Sequence, residues 1–516
     1  MSRRRQETLA RWNDHTYDVL VVGGGITGAG IARDAAMRGL SCALVDKSDF
    51  AAGTSSKSGK LVHGGLRYLK YGQIRMVREA CRERWLLLTR VAPHIVRPVR
   101  FVVPFYRINR TPRWMMSLGV ALYDLLALGR NTERFRLHSA AKLAQLEPSL
   151  TTQDCLGGLS YADCACLDFR LVIDTLKSAA EHGASLVNYA ELLELRGATG
   201  QFEATIRDVL AGTQHTLGAR SVINAAGPWA DDVQERIGSD ERFGMKLSLG
   251  IHLVVSAARL PVRQTLALEV GRDGRMIYVV PWGDSILVGT TDTFYSGDKD
   301  HLAVTAEATE YLLDTVNRYF PGASLTGNDI LSSFAGVRPL IGSDQGRREE
   351  QVSRDYQVSV RDDGVIAVTG GKLTTYRAIA ERVVDTLVAR FFPDRPRPCR
   401  TIAPISGGEA ALPSGPSDRL RALWSRYGSN ALQIEALIDQ RSELAEPIDP
   451  RAPFLLAEVV YAQQHEFVET VDDMVDRRLG AFLCAPSLGL REKLESWLRD
   501  VENASLLAHN PRSAAE

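Results

Sequence analysis

A glycine-rich turn near the start of the chain constrains its fold more than any other feature. Residues 17–22 form a short run of β-branched and apolar side chains, and Gly23-Gly24-Gly25-Ile26-Thr27-Gly28 follows with Gly-x-Gly-x-x-Gly spacing. The pattern then predicts an alanine-rich helix over residues 26–38 and a second strand over residues 41–45. A strand, a tight turn, a helix and another strand make a βαβ unit, which predicts a parallel sheet with right-handed crossovers.

Each glycine of this turn has a distinct physical role in a dinucleotide site. Gly23 permits the tight turn, Gly25 lets the backbone approach a pyrophosphate, and Gly28 lets the helix pack closely on the strand. The helix N-terminus presents N–H groups and partial positive charge to the phosphates. Asp46 follows the second strand, where its carboxylate can accept from ribose hydroxyls. The alternative is a glycine turn that binds no ligand.

Two later segments favour FAD over NAD as the dinucleotide. Asn224-Ala225-Ala226-Gly227-Pro228-Trp229 ends a predicted strand with small residues, which lets a backbone approach the cofactor. A second strand-to-helix turn, with a helix predicted from about residue 375, contains Gly370 and Gly371. A reduced flavin carries negative charge, and a helix N-terminus stabilises such charge. The cofactor contacts predicted in these two segments are Ala226, Gly227, Trp229, Gly371, Lys372, Leu373 and Thr374.

The chain is too long for one compact core, because 516 residues correspond to roughly two or three domains. We predict an α/β fold: a Rossmann-like FAD-binding domain of the glutathione-reductase type, an α+β substrate domain with an antiparallel sheet, and a C-terminal α-helical domain. The FAD-binding domain is predicted over residues 17–240 and 333–391, with substrate or cap elements inserted at about 75–150. The substrate sheet is predicted over residues 241–332. Prolines and glycines at 392–408 mark a boundary, and the helical domain is predicted over residues 400–510.

The overall charge argues against a nucleic-acid partner. Lys and Arg number 62, and Asp and Glu number 62, so no global field attracts the chain to a polyanion. The first apolar run, residues 19–22, is too short to cross a bilayer, and no secretory signal precedes it. The seven cysteines are scattered, and no cluster has metal-site spacing. We therefore expect a cytoplasmic protein without a metal, with the inner face of the membrane as a further possibility.

With these segments assembled, the chain resembles the FAD-dependent glycerol-3-phosphate dehydrogenases, in particular the aerobic bacterial type that passes electrons to quinone. The resemblance runs from about residue 17 to 483 and is most specific in HGGLRYL and GGKLTTYR. The matching segments are VGGGITGAG (22–30), TSS (54–56), LVHGGLRYL (61–69), NAAGPW (224–229), VPW (280–282), GTTD (289–292), GVRP (336–339) and GGKLTTYR (370–377). Two positions depart from the family: Ile251 stands where a small polar residue often precedes the histidine, and Lys57 stands where serine or alanine is more usual.

The resemblance implies FAD as cofactor, and oxidation of glycerol 3-phosphate to dihydroxyacetone phosphate in glycerol metabolism. Flavin contacts are expected in the loop after the second strand. Phosphate and hydroxyl contacts are expected from cations and neutral donors in three of these motifs, HGGLRYL, GVRP and GGKLTTYR. The loop residues are Thr54, Ser55, Ser56, His63, Gly64 and Gly65. The substrate-binding residues are Arg67, Tyr68, Arg338, Lys372 and Thr375.

His252 is our predicted general base, because oxidation at C2 requires removal of the hydroxyl proton and an imidazole titrates near neutrality. The alternative is a histidine that only satisfies hydrogen bonds within the sheet. Arg338 is assigned a second role, stabilising the developing alkoxide with fixed positive charge.

A basic and apolar segment at residues 107–122 suggests peripheral contact with an anionic membrane, where a quinone acceptor would lie. A core helix with a basic flank is the alternative, and a homodimer is left open. Three rival functions remain: a glycerol-3-phosphate oxidase that uses oxygen, a related amine or 2-hydroxy-acid oxidase, and an FAD-binding protein without catalysis. The family's oxidase branch tends to have an inserted segment that is not evident here, and the amine and hydroxy-acid oxidases are not expected to combine the specific motifs.

Overall fold

The computed structural model describes residues 3–12, 15–239, 242–270, 274–340, 356–395, 398–486 and 488–503. The predicted end of the helical domain, at residue 510, lies outside these ranges, as do residues 240 and 241 at a predicted boundary.

A parallel sheet forms the centre of one half of the molecule, as predicted. Its strand order is β19-β20-β12-β2-β3-β8, parallel except for the edge strand β19. The central strands β2 and β3 are buried at every position, which is typical of parallel strands covered on both faces. The strands are β2 (Val19–Val22), β3 (Cys42–Val45), β8 (Ser185–Val187), β12 (Val222–Asn224), β19 (Tyr356–Val360) and β20 (Ile366–Gly370).

Helices α2 (Ile26–Met37) and α9 (Tyr376–Phe391) pack against each other through small residues. A Cβ atom on Gly30 of α2 would lie 2.9 Å from the Tyr376 ring and 3.1 Å from Cβ of Ala380, so glycine is what lets α2 approach α9. The helices before the C-terminal region are α1 (Arg3–Arg11), α2 (Ile26–Met37), α3 (Ile74–Leu86), α4 (Arg113–Leu126), α5 (Ala140–Leu146), α6 (Asp168–Glu181), α7 (Ala230–Arg236), α8 (Ala306–Tyr319) and α9 (Tyr376–Phe391).

A larger and mostly antiparallel sheet forms the other half. Its main path is β17-β13-β16-β15-β14-β5-β7-β4, with β18 paired to β13 and β6 paired to β7. The sheet includes strands on both sides of the predicted substrate region 241–332. The strands are β4 (Leu61–Val62), β5 (Arg97–Tyr106), β6 (Arg136–His138), β7 (Cys155–Ala165), β13 (Lys246–Ser256), β14 (Thr265–Glu269), β15 (Met276–Trp282), β16 (Ser285–Gly289), β17 (Thr293–Tyr295) and β18 (Ile330–Leu340).

Strand pairing explains why this sheet extends beyond the predicted region. β5 pairs antiparallel with β7 and parallel with β14, so the segment predicted as inserted cap elements contributes to the sheet. Pairings between strands distant in sequence are not visible in local hydrophobic patterns. The domain limits along the chain remain a prediction.

A small third sheet lies beside the parallel one, in the order β1-β11-β10-β9. β10 alternates exposed and buried positions, the pattern of a strand with one covered face. The strands are β1 (Thr16–Tyr17), β9 (Ala190–Ala198), β10 (Gln201–Asp208) and β11 (Gln214–Ala219).

The C-terminal region is helical, which confirms that part of the predicted fold class. Buried ion pairs join it to the rest of the molecule: Arg478 lies 2.9 Å from Asp49, and Arg170 lies 2.7 Å from Glu466. A π-helical segment, Asp473–Leu479, carries Arg478. The helices are α10 (Asp418–Tyr427), α11 (Ala431–Gln440), α12 (Leu456–His465), α13 (Ala481–Cys484) and α14 (Leu490–Asn503).

Candidate active site

A cavity of about 780 Å³ opens at the carboxyl edge of the parallel sheet. Because β20, β12 and β2 are neighbours and parallel, the glycine turns after β2 and β20 reach the same edge, with the small residues after β12 between them. Ligands of open α/β sheets bind at this edge. The two glycine turns, almost 350 residues apart along the chain, therefore face one cavity.

The turn after β2 leaves no room for side chains. Gly23 has a φ of +113°, and a Cβ atom there would lie 2.6 Å from the carbonyl oxygen of Ala225. A Cβ atom on Gly28 would lie 1.8 Å from the carbonyl oxygen of Gly23. At the helix start, Ser55 Oγ accepts a hydrogen bond from the Ile26 N–H at 3.0 Å. The turn is thus fixed by backbone contacts, and its remaining surface faces the cavity.

Asp46 closes this turn as well as lining the cavity. Its Oδ2 accepts from the Gly24 N–H at 2.6 Å, and its Oδ1 accepts from the Ser48 N–H at 2.8 Å. Burial raises the pKa of Asp46 to about 6, although the two N–H donors act to lower it. The carboxylate predicted to face ribose therefore also clamps the loop that carries it.

The turn after β20 is tied to the loop in which flavin contacts are predicted, residues 54–65, which we call the flavin loop. Thr374 Oγ1 accepts from the His63 N–H at 3.1 Å and donates to the His63 carbonyl at 3.2 Å. Gly371 has a φ of +92°, which favours glycine at the turn. The Lys372 Nζ lies 3.5 Å from the centre of the Tyr68 ring, so the cation and the phenol predicted for the substrate are neighbours.

Two predicted substrate-binding arginines meet at one carboxylate. Arg67 Nη1 lies 3.6 Å from Oδ2 of Asp292, and Arg338 Nη1 lies 3.5 Å from its Oδ1. Arg338 also donates to Thr290 Oγ1 at 2.6 Å. A Cβ atom on Gly250 would lie 2.2 Å from Arg338 Nη2, so that glycine makes space for the guanidinium. We call Arg67, Asp292 and Arg338 the arginine–aspartate cluster.

His252 lies in β13 on the cavity wall and is 1% exposed. Within the described residues its Nδ1 has no hydrogen-bond partner. Burial, and then the positive charges of Arg338 and Lys60, hold the pKa of His252 well below its ordinary value. The imidazole is therefore neutral at neutral pH, the form that a proton acceptor requires.

Most of the predicted site residues lie together on the cavity wall. They are Gly23, Gly25, Asp46, Thr54, Ser55, His63, Gly65, Arg67, Tyr68, Ala226, Gly227, Trp229, His252, Arg338, Gly371, Lys372, Leu373 and Thr374.

Four predicted residues are not on the wall. Gly28 packs on the turn behind it, and buried Ser56 lies in the turn after Gly53. The Gly64 N–H donates to Tyr123 and Asp163 in the interior. Thr375, predicted as a substrate donor, is buried and lies immediately before α9 as its N-cap.

Asp292 and Lys57 on the wall were not assigned a function from the sequence. Asp292 ends the GTTD motif directly after β16, and an acidic residue at a strand end was the signal that could have identified it. Met115, Leu118 and Leu122 of α4 also line the cavity, which links the predicted membrane segment to the site.

The residues present fit FAD. Cβ atoms at Gly23 and Gly28 would collide with backbone, so the turn keeps a bare backbone beside the cavity. The first residues of α2 and the turn that leads into α9 line the cavity, and 780 Å³ is within the range of ligand sites, roughly 300–1,000 Å³. Among the described residues no group of three or more His, Cys, Asp or Glu is arranged to hold a metal ion.

Comparison with known proteins identifies the family of this chain. The family model described as FAD dependent oxidoreductase matches residues 18–386, and the C-terminal domain of alpha-glycerophosphate oxidase matches residues 338–493. The aerobic glycerol-3-phosphate dehydrogenase of Bacillus subtilis is 36% identical over 505 residues, covering 93% of this chain and 90% of the relative. The aerobic glycerol-3-phosphate dehydrogenase of Staphylococcus haemolyticus is 36% identical, and the match covers 90% of this chain and 86% of the relative.

A solved structure gives the same result. The glycerol-3-phosphate dehydrogenase of Bacillus halodurans complexed with FAD superposes with a TM-score of 0.78 at 31% identity, covering 97% of this chain and 93% of that one. The chain therefore belongs to the FAD-dependent oxidoreductases, in the family of the glycerol-3-phosphate dehydrogenases, and FAD is its cofactor.

Proposed function

We propose that this chain oxidises glycerol 3-phosphate to dihydroxyacetone phosphate and passes the electrons to a quinone. The observation that carries the proposal is the arginine–aspartate cluster, which places two guanidinium groups on the wall of the same cavity as the glycine turns. A phosphate dianion is the ligand that such paired, fork-shaped donors recognise. The high coverage of the dehydrogenase relatives supports this substrate.

In this proposal the cluster binds and orients the substrate phosphate. Asp292 neutralises part of the positive charge and fixes the spacing of the two guanidinium groups before substrate arrives. Lys372, held over the Tyr68 ring, adds a third cation to the same wall. FAD, when bound, supplies the acceptor for the hydride of substrate C2.

His252 accepts the proton of the C2 hydroxyl in this proposal. We assign Nε2 as the atom that accepts this proton, because the ring is neutral and Nδ1 is buried. The positive charge of Arg338 stabilises the oxygen as its proton leaves.

An exposed apolar face on α4 supports a peripheral membrane contact. Trp114 is 67% exposed, Leu118 is 63% exposed and Leu125 is 69% exposed, although large apolar side chains are usually covered. Four arginines flank this face, at 107, 110, 113 and 130. Within the described ranges, no helix has the length and apolar character needed to cross a bilayer. Because the same helix lines the cavity, it would bring the site close to a lipid-soluble acceptor.

Sedimentation with anionic vesicles tests this contact. We expect the protein to bind at low salt, and a Trp114→Ser, Leu118→Ser double variant to lose most of the binding. Leu137→Ser is a matched control, since Leu137 is 62% exposed on a different element, β6. Failure of the unchanged protein to bind at both low and high salt would remove the membrane contact.

The acceptor is tested with the purified holoprotein, glycerol 3-phosphate and either a quinone analogue or oxygen. We expect rapid quinone reduction and little peroxide. Peroxide equal to the substrate consumed would identify an oxidase instead. Turnover of amines or 2-hydroxy acids in place of glycerol 3-phosphate would favour the remaining enzyme alternative.

A further inference from the structure

A row of aromatic rings leads from the C-terminal helical region to the cavity. The His252 imidazole stacks on Phe334 of β18, with ring centres 4.9 Å apart and planes 18° apart. Phe334 meets Phe482 of α13 edge to face, at 5.3 Å and 81°. Phe482 in turn meets buried Phe169 of α6 at 6.3 Å. These contacts connect a residue of the C-terminal region to the predicted base through one intervening ring.

The imidazole is held by packing instead of by a hydrogen bond. A functional histidine is commonly oriented by a carboxylate or carbonyl at one ring nitrogen, and no such partner of Nδ1 exists among the described residues. On its other side, a Cβ atom on Gly289 would lie 2.3 Å from His252 Cδ2. Phe334 and the Gly289 backbone therefore confine the ring between them.

The same two phenylalanine rings also lie beside two lysines. Lys60 Nζ lies 5.2 Å from the centre of the Phe334 ring and 5.3 Å from that of Phe482. Lys57 Nζ lies 5.9 Å from both. Lys60 is paired with Asp168 at 2.6 Å. The charged groups around the imidazole are thus Arg338 from β18, these two lysines from the flavin loop, and Asp168, which is paired with Lys60.

We propose that Phe334 and Phe482 are positioning residues, and that the C-terminal helical region, through Phe482, holds the His252 imidazole in place for proton transfer. This inference rests on the proposed role of His252 and extends it, because it gives the C-terminal region a part in the reaction. Phe482 acts through Phe334 and need not touch the substrate.

Phe482→Ala tests the inference in the FAD-loaded enzyme. Without the edge contact Phe334 can tilt, and the imidazole loses its confinement. A displacement of a reacting group by about 1 Å lowers rates roughly 100-fold, so we expect kcat to fall about 10- to 100-fold while KM changes less than about threefold. Phe482→Tyr retains the ring and should keep kcat within about threefold of the unchanged enzyme.

Leu494→Ala is the matched control for a general loss of stability. Leu494 is buried in the core of the same C-terminal region and belongs to a different hydrophobic cluster from Phe334. The Leu494→Ala substitution should lower the thermal unfolding midpoint and leave kcat unchanged at a temperature where the enzyme is folded.

The ionisation of His252 provides a readout that a purely structural role would not change. In Phe482→Ala water gains access to the ring, so the lowered pKa should rise toward its ordinary value. NMR titration of isotope-labelled histidine, assigned with His252→Asn, measures this shift without turnover.

The outcomes separate the two levels of the proposal. The inference alone would be overturned by one combination of results. In it, His252→Asn loses activity, but Phe482→Ala matches Leu494→Ala in both kcat and the histidine titration. Normal kcat in His252→Asn would overturn the assigned base and the inference with it. We expect His252→Asn to lose activity. We expect Phe482→Ala to show a lowered kcat and a raised His252 pKa, and Phe482→Tyr to restore both.

Discussion

The two ends of the cavity are built in opposite ways. At the cofactor end, close backbone contacts shape the wall: the turn after β2 and the segment after β12 meet at a distance that excludes a Cβ at Gly23. At the substrate end, side chains of the arginine–aspartate cluster extend from the HGGLRYL motif, the GTTD segment and β18. A backbone site depends on the absence of side chains, whereas a side-chain site depends on charge. The two ends should therefore fail differently when substituted.

The largest effect is expected at the cofactor end. Gly28→Val places a side chain where a Cβ already lies 1.8 Å from the Gly23 carbonyl oxygen, so the turn must shift. We expect a loss of about 3 kcal/mol or more of folding stability and little bound FAD. The flavin-to-protein absorbance ratio and the thermal unfolding midpoint measure both losses.

Gly322→Ala is the control for this substitution, since no atom within 4 Å meets a Cβ there. It should retain FAD and a normal midpoint. Full flavin content in Gly28→Val would show that the turn is not the cofactor cradle.

At the substrate end, Arg338→Ala should leave FAD bound and damage catalysis. Removing a charge-assisted contact of roughly 1.5–3 kcal/mol predicts a fall in kcat/KM of about 10- to 150-fold, with a raised KM and a lowered kcat. Steady-state kinetics with glycerol 3-phosphate and a dye acceptor measure the change. Arg259→Ala, which removes an exposed arginine paired with Asp329, should leave the kinetics unchanged. Equal kinetics in both variants would contradict the assigned role of Arg338.

A smaller effect is expected for Asp292→Asn. The substitution keeps the shape and removes the charge that spaces Arg67 and Arg338, so we expect kcat/KM to fall roughly 5- to 10-fold with normal flavin content. An increase in kcat/KM would instead mean that the carboxylate competes with the substrate phosphate.

The smallest expected effect concerns pH. Because burial and nearby cations hold the pKa of His252 well below its ordinary value, the base stays neutral as pH falls past about 6.5. At saturating substrate we expect kcat to remain nearly constant as the pH falls past the ordinary histidine pKa, and to decline only well below it, as the imidazole becomes protonated. A decline centred near pH 6.5 or above would contradict a desolvated, neutral imidazole.

The sequence predicted the cofactor end well because its determinants are local. The Gly-x-Gly-x-x-Gly spacing fixes a turn between adjacent elements, and the fold class that follows from it is confirmed. The meeting of two distant turns followed from one rule, that parallel strands present their carboxyl ends at one edge.

The substrate end was less predictable, because its contacts depend on pairing between distant strands. The motif positions of Arg67 and Arg338 were evident from the sequence. Their shared partner Asp292 was not, because it is identified only when β16 and β18 are both known to pair with β13. Thr375 shows the converse: a polar residue in a specific motif was expected to face the substrate, but it is buried at the N-cap position of α9. The packing of Phe482 against Phe334 has no signal in local sequence.

The most direct test of the account is anaerobic reduction of the holoenzyme flavin by glycerol 3-phosphate and by glycerol. If the arginine–aspartate cluster binds the phosphate beside the cofactor end, glycerol 3-phosphate should bleach the flavin within a turnover, and glycerol should do so roughly 100-fold or more slowly. The advantage of the phosphate should shrink in Arg338→Ala. Equal bleaching by both compounds, or none by either, would contradict the account.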